Sequence, residues 1–133
     1  MSEKGLWGRV RRAIRHLDPV RVENRVEAGT PDVWYSEGAL ELKWMRIAPK
    51  RGGIVKLDHD YTLEQRVWAI RRDKAGGKVY VLLKIGSEYL LFKGIVAAEC
   101  LGYSTLEQLR EKAIGKWRVK LNDKELGDLL TQK

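Results

Sequence analysis

Cysteine and histidine are scarce in this chain, and long apolar runs are missing altogether. One cysteine, Cys100, permits no internal disulfide and suits a reducing interior. The two histidines, His16 and His59, stand far apart and cannot assemble a zinc ligand set. No apolar stretch approaches the about 20 residues of a membrane-spanning helix, so no membrane association is expected. Internal repeats and low-complexity segments are absent as well. The Arg-rich amphipathic N-terminus has some transit-peptide character, but Glu3 and Asp18 bracket it and it leads straight into a strand, so it reads as part of the fold.

What is present is a globular composition with a basic bias. Of 133 residues, 44% are apolar and 33% charged, enough to bury a core in one domain spanning residues 1–133. Lysine and arginine number 26 against 18 acids, a net charge of +8, which points to a polyanionic partner.

The most informative stretch is Gly29 to Lys43, two short apolar runs that meet at Glu37-Gly38. An acidic residue followed by glycine suits a two-residue hairpin loop. That loop would place Ser36 opposite Ala39, Trp34 opposite Glu41 and Asp32 opposite Lys43. Side chains alternate along a strand, so Asp32, Trp34, Glu41 and Lys43 share one face, and Val33, Tyr35, Leu40, Leu42 and Trp44 take the apolar one. Asp32 and Glu41 become diagonal neighbours roughly 7–8 Å apart. Two carboxylates on one strand face suit a hard divalent cation, which takes oxygen ligands, waters and phosphate. Lys43 beside them would orient or deprotonate a water, or steady charge on phosphorus. The competing reading is an ordinary Asp32–Lys43 ion pair on a solvated sheet face.

Pro31-Asp32, eight residues, then Glu41-Leu42-Lys43 resembles the PD-(D/E)XK motif of the metal-dependent nuclease superfamily. With Gly29 before it, an acid upstream and a Gln-bearing helix downstream, residues 3 to 92 resemble the archaeal-type Holliday junction resolvases and their phage relatives. The resemblance implies a small mixed β-sheet flanked by helices, an α/β fold with a restriction endonuclease-like core. It implies magnesium, with manganese as a substitute, held by Asp32, Glu41, the Leu42 carbonyl and an upstream glutamate. That glutamate usually comes from the first helix in the family. Here Glu23, closer to the hairpin, is chosen, with Glu27 the alternative and Glu3 remote. The implied activity is paired, symmetric nicking of four-way junctions in DNA recombination, by a homodimer acting on branched double-stranded DNA in the cytoplasm of a prokaryotic or phage-infected cell. The alternatives are another nuclease of the superfamily (nicking, flap-cutting or restriction-like) and a non-catalytic basic nucleic-acid-binding module.

The rest of the chain is read in order. A helix over Glu3–Leu17 gathers Leu6, Trp7, Val10, Ala13, Ile14 and Leu17 on one side and Lys4, Arg9, Arg11, Arg12, Arg15 and His16 on the other. The basic side is either a solvated face or a phosphate contact. Val20–Asn24 alternates like a strand, with Arg25 adding charge beyond it. Arg46, Lys50, Arg51 and Lys56, around Gly52-Gly53, form an acid-free loop suited to clamping a DNA backbone.

Thr62 caps a second helix that Gly76-Gly77 stops, with Leu63, Val67, Ile70 and Trp68 as its buried stripe. Gln65 either closes a capping box with Thr62 or, as the resemblance implies, binds a water or phosphate at the metal site. Arg66, Arg71, Arg72 and Lys74 add positive surface. Lys78–Ile85 reads as a central strand, Gly86-Ser87 as a turn and Tyr89–Phe92 as its partner. A helix from the Ser104–Glu107 capping box to Ile114, a Lys116-Trp117-Arg118 cluster (core, or a base-stacking platform) and a short helix capped by Asn122 complete the chain.

Overall fold

The computed structural model describes residues 3–23 and 27–132. Six strands form one open mixed sheet in sequence order, flanked by helices on both faces. The strands are β1 (Val20–Arg21), β2 (Val33–Tyr35), β3 (Gly38–Met45), β4 (Lys78–Ile85), β5 (Glu88–Lys93) and β6 (Gly115–Arg118). All neighbours are antiparallel except β3 and β4, whose parallel pairing requires a crossover. That crossover carries α2 (Leu63–Lys74), and it sets the catalytic candidates beneath a helix end.

One face of the sheet is covered by α1 (Glu3–Ala13) and α5 (Asp123–Leu130). Leu6, Val10, Ile14 and Leu17 pack there on Val33, Leu40, Leu42 and Leu82, as the helical spacing predicts. After Ala13 the chain tightens into a 3-10 turn over Arg15–Leu17, ended by Asp18 in a left-handed conformation before Pro19. Trp117 belongs to this core too: its ring is buried and its Nε1 donates to Glu125 at 2.7 Å. Trp117 is therefore core, while Lys116 and Arg118 point to solvent.

The opposite face carries α2, α3 (Gly94–Cys100), α4 (Leu106–Lys112) and the loop between β3 and α2. Val55 and Tyr61 of that loop join Val81, Leu83, Phe92 and Leu109 in a second core. The loop is not a free flap, since Ile54 bridges Thr105 and the Val55 N–H donates to Ser104.

Several expectations are corrected. The β2–β3 turn is Ser36-Glu37, with Tyr35 opposite Gly38, Trp34 opposite Ala39 and Val33 opposite Leu40. Gly38 is inside the strand because a Cβ there would lie 2.4 Å from the Lys78 carbonyl oxygen, a steric demand rather than a turn demand. The register thus slips by two residues, which leaves every side chain on its expected face. The first strand is only Val20–Arg21, and Asn24 lies outside the described residues. Helix α2 buries Trp68 and Ala69, whereas Leu63 and Val67 are exposed, so its expected apolar stripe is turned partly to solvent. The cap of α4 is Thr105, paired with Gln108, and the helix stops at Lys112. Helix α3 follows β5 without a turn and was not expected.

Candidate active site

Asp32 and Glu41 meet where β2 begins and β3 is mid-course. Continuing the β2–β3 register places them directly opposite each other rather than diagonally. Two reciprocal bonds lock them. The Asp32 backbone N–H donates to Glu41 Oε1 at 3.2 Å, and the Leu42 N–H donates to Asp32 Oδ1 at 3.2 Å. Because a strand residue's N–H and C=O point to the same side, the Leu42 carbonyl faces the same edge, beyond the first residue of β2.

Glu41 is nearly buried, and its other oxygen collects two partners. Gln65 Nε2 donates to Oε2 at 3.0 Å, and Lys43 Nζ stands 3.4 Å from it. Burial, and then the charge of Asp32, push the Glu41 carboxyl up to about 8, an effect that Lys43 only partly offsets. Lys43 itself is buried, donates to the Asp60 carbonyl at 2.9 Å and does not line the open cleft; it stands behind Glu41. It pairs with Glu41 and not with Asp32, the partner that the competing ion-pair reading gives it.

Gln65 closes the capping box, the first of the two alternatives, and its side chain also lies at Glu41. Its Oε1 accepts from the Thr62 N–H and its backbone N–H donates to Thr62 Oγ1, closing the capping box. The remaining amide end reaches Glu41. The first turn of α2 is brought this close by Gly29, whose φ is +86° and whose α-hydrogen faces the Glu64 carbonyl. A Cβ at Gly29 would stand 2.2 Å from that oxygen.

Outside the carboxylates lies an open cleft of about 670 Å³, lined by Arg21, Val22, Glu23, Thr30, Asp32, Glu41 and Gln65. Glu23, the acid chosen from sequence as the further metal ligand, lines this cleft. Glu27 instead pairs with Arg71 on α2 at 2.6 Å. Among the described residues no three histidine, cysteine, aspartate or glutamate side chains gather as a metal-binding group. The donors that do come together are two carboxylates, one of which holds its proton because it is buried and, secondly, because it faces the other, with the Leu42 carbonyl on the same strand edge. Such a set suits a hard cation that completes its shell with water and phosphate. Arg21, 3.6 Å from Asp32, is a cleft residue that the sequence reading does not place in the site. The alternation of β1 was the available signal.

The basic residues divide between the two layers. Glu41 and Lys43 pair in register with Val81 and Leu83, on the face that carries the β3–α2 loop. Exposed Arg46, Lys50, Arg51 and Lys56 belong to that layer. Exposed Arg11, Arg12 and Arg15 ride on the other layer, and Arg9 is tied to the Leu121 carbonyl and to Asp123. Arg25 lies outside the described residues. Arg66 is an internal tie rather than surface charge. Its guanidinium donates to the carbonyls of Tyr61, Ala98 and Leu101.

No helix among the described residues is long and apolar enough to cross a membrane. No protein-family model, no curated protein and no solved structure matches this chain.

Proposed function

We propose that this protein is a divalent-metal-dependent endonuclease acting on DNA. The observation that carries the proposal is the Asp32–Glu41 pair, held side by side at a polar cleft with Gln65 and Lys43 both on Glu41. Asp32, Glu41 and the Leu42 carbonyl would hold magnesium, or manganese in its place, with Glu23 at the cleft wall as a further oxygen donor. Bound there, the ion would supply Lewis-acid polarisation of the phosphate and a lowered pKa for the attacking water.

The chain's own residues then have separable tasks. Glu41 needs a cation to stay ionised at neutral pH, and Lys43 supplies part of that balance from behind. Gln65 keeps a second amide hydrogen for a water or a phosphate oxygen. Arg21, at the cleft, offers a guanidinium to the phosphate backbone. The exposed cations of the β3–α2 loop give affinity that is sequence-blind and salt-sensitive.

A sequence-blind grip favours selection by DNA shape, and two matched cuts across a four-way junction call for a symmetric homodimer. Branched DNA is therefore the proposed substrate, a recombination intermediate the proposed context, and the cytoplasm of a prokaryotic or phage-infected cell, where Cys100 stays reduced, the proposed location. The test is incubation with a four-way junction and with linear duplex, with and without magnesium, followed by mapping of the cuts. Paired, symmetric, magnesium-dependent nicks in the junction are expected. Equal cutting of both substrates points to a nicking, flap-cutting or restriction-like nuclease, and tight binding with no metal-dependent product to a non-catalytic module.

A further inference from the structure

Beside the carboxylate cleft, along the same strand face, lies a second cavity that hydrolysis does not use. It has about 240 Å³, lined by Trp34, Trp68 and Arg72, by Gly38, Ala39 and Gly77, and on the side of the β2–β3 turn by the Glu37–Lys78 ion pair. The two indoles meet edge to face at 5.8 Å. The Arg72 guanidinium lies 4.5 Å from the centre of the Trp68 ring and 5.7 Å from that of Trp34. Space for it is cleared by Gly77, where a Cβ would fall 2.6 Å from Arg72 Cδ. Trp34 Nε1 is occupied by the Pro31 carbonyl at 3.0 Å, so its ring is fixed in orientation.

This cavity and the cleft are built on the same two elements. Trp34 follows Asp32 by two residues on one face, roughly 7 Å along the strand. Trp68 and Arg72 follow Gln65 by about one and two turns of α2, while Gln65 itself touches Glu41. A chain whose phosphate sits at the carboxylates therefore has its next planar group at the tryptophans. Aromatic rings and guanidinium planes are what hold bases that have left a duplex stack. The cavity has the scale of one ring system, not of a base pair.

We infer that the Trp34–Trp68–Arg72 cavity receives an unpaired nucleobase next to the phosphate bound at Asp32 and Glu41. The inference rests on the nuclease reading and sharpens it: the substrate must supply an unstacked nucleotide at the cut, as branch points and single-stranded ends do. Recognition is by stacking and is indifferent to which base arrives.

The test is binding of short single-stranded oligonucleotides in EDTA, each carrying one abasic nucleotide at a successive position, to the wild type, Arg72→Ala and Trp34→Phe. Arg72 is exposed and its contacts are with the two indoles, so a melting curve of Arg72→Ala accompanies the binding measurement. Wild type is expected to bind about tenfold more weakly when one particular position is abasic, the loss expected of a single base–aromatic stack. Arg72→Ala should bind the intact oligonucleotide about tenfold more weakly and lose that positional sensitivity, with Trp34→Phe between the two. A wild type indifferent to abasic nucleotides at every position, or an Arg72→Ala protein that keeps the full sensitivity, would overturn the inference. Because no metal is present, these outcomes are independent of cleavage. Failure to cut DNA with magnesium would instead overturn the nuclease reading.

Discussion

At the scale of the residue, Glu41 is the most heavily perturbed group of the candidate site. Its folded-state pKa of about 8 lies above the ordinary 4.5, chiefly because of burial and then because Asp32 faces it. A raised folded pKa means that the protonated form stabilises the fold. That contribution is complete below about pH 4.5 and is lost as pH rises through about 8. Metal-free protein should therefore lose Tm between pH 5 and 8 relative to Glu41→Gln, measured as the difference between the two melting profiles in EDTA. Parallel profiles would contradict this. Divalent-cation affinity should rise over the same window, since binding must expel that proton.

Gly29 makes a second prediction at the same scale. Gly29→Ala puts a side chain into left-handed backbone and against the Glu64 carbonyl. A cost of about 2–3 kcal/mol follows, which lowers Tm by roughly 5–10 °C. The variant should also lose metal affinity, because α2 can no longer bring Gln65 to Glu41. A variant that melts like the wild type would contradict the close approach.

At the scale of the element, the β3–α2 connection is held by Arg66, whose planar fork reaches three carbonyls on two segments. Arg66→Ala strips partners from all three and should cost about 3 kcal/mol, read as a fall in Tm of roughly 10 °C. Arg66→Lys should rescue little of it, because a point charge cannot fork. Nothing local in the sequence marks Arg66 for this role, since its partners lie as many as 35 residues away. The same holds for Arg9, tied across 114 residues to Asp123.

What was legible was periodic. Period-two alternation put Asp32, Glu41 and Lys43 on one face, and a two-residue slip in register could not disturb it. The capping residues Thr62 and Asn122 and the strand Lys78–Ile85 were equally plain, because each depends on neighbours in sequence. Helix α3 was not. It begins straight out of β5 with Gly-Ile-Val, poor helix formers, and Lys93 gives it no side-chain cap. The stripe of α2 misled because the sheet meets that helix through Trp68 and Ala69 and leaves Leu63 and Val67 in solvent.

At the scale of the whole molecule, the sheet separates two sets of basic residues, the arginines of α1 and its following turn and the cations of the β3–α2 loop. A net charge of +8 gives attraction in general, but only one layer holds the carboxylates. Neutralising Arg46, Lys50, Arg51 and Lys56 should weaken DNA binding and reduce the slope of log affinity against log salt by up to about 0.9 per lost phosphate contact. Neutralising Arg11, Arg12 and Arg15 should change the slope much less. Equal effects of the two sets would mean that DNA wraps both faces.

The central claim is that Asp32 and Glu41 capture a hard cation. Its most direct test is a crystal of the protein soaked in manganese and measured for anomalous scattering. A single strong peak is expected between the two carboxylates, at coordination distance from an oxygen of each and within reach of the Leu42 carbonyl. A map with no peak there at saturating manganese, or with the ion bound only elsewhere, would contradict it.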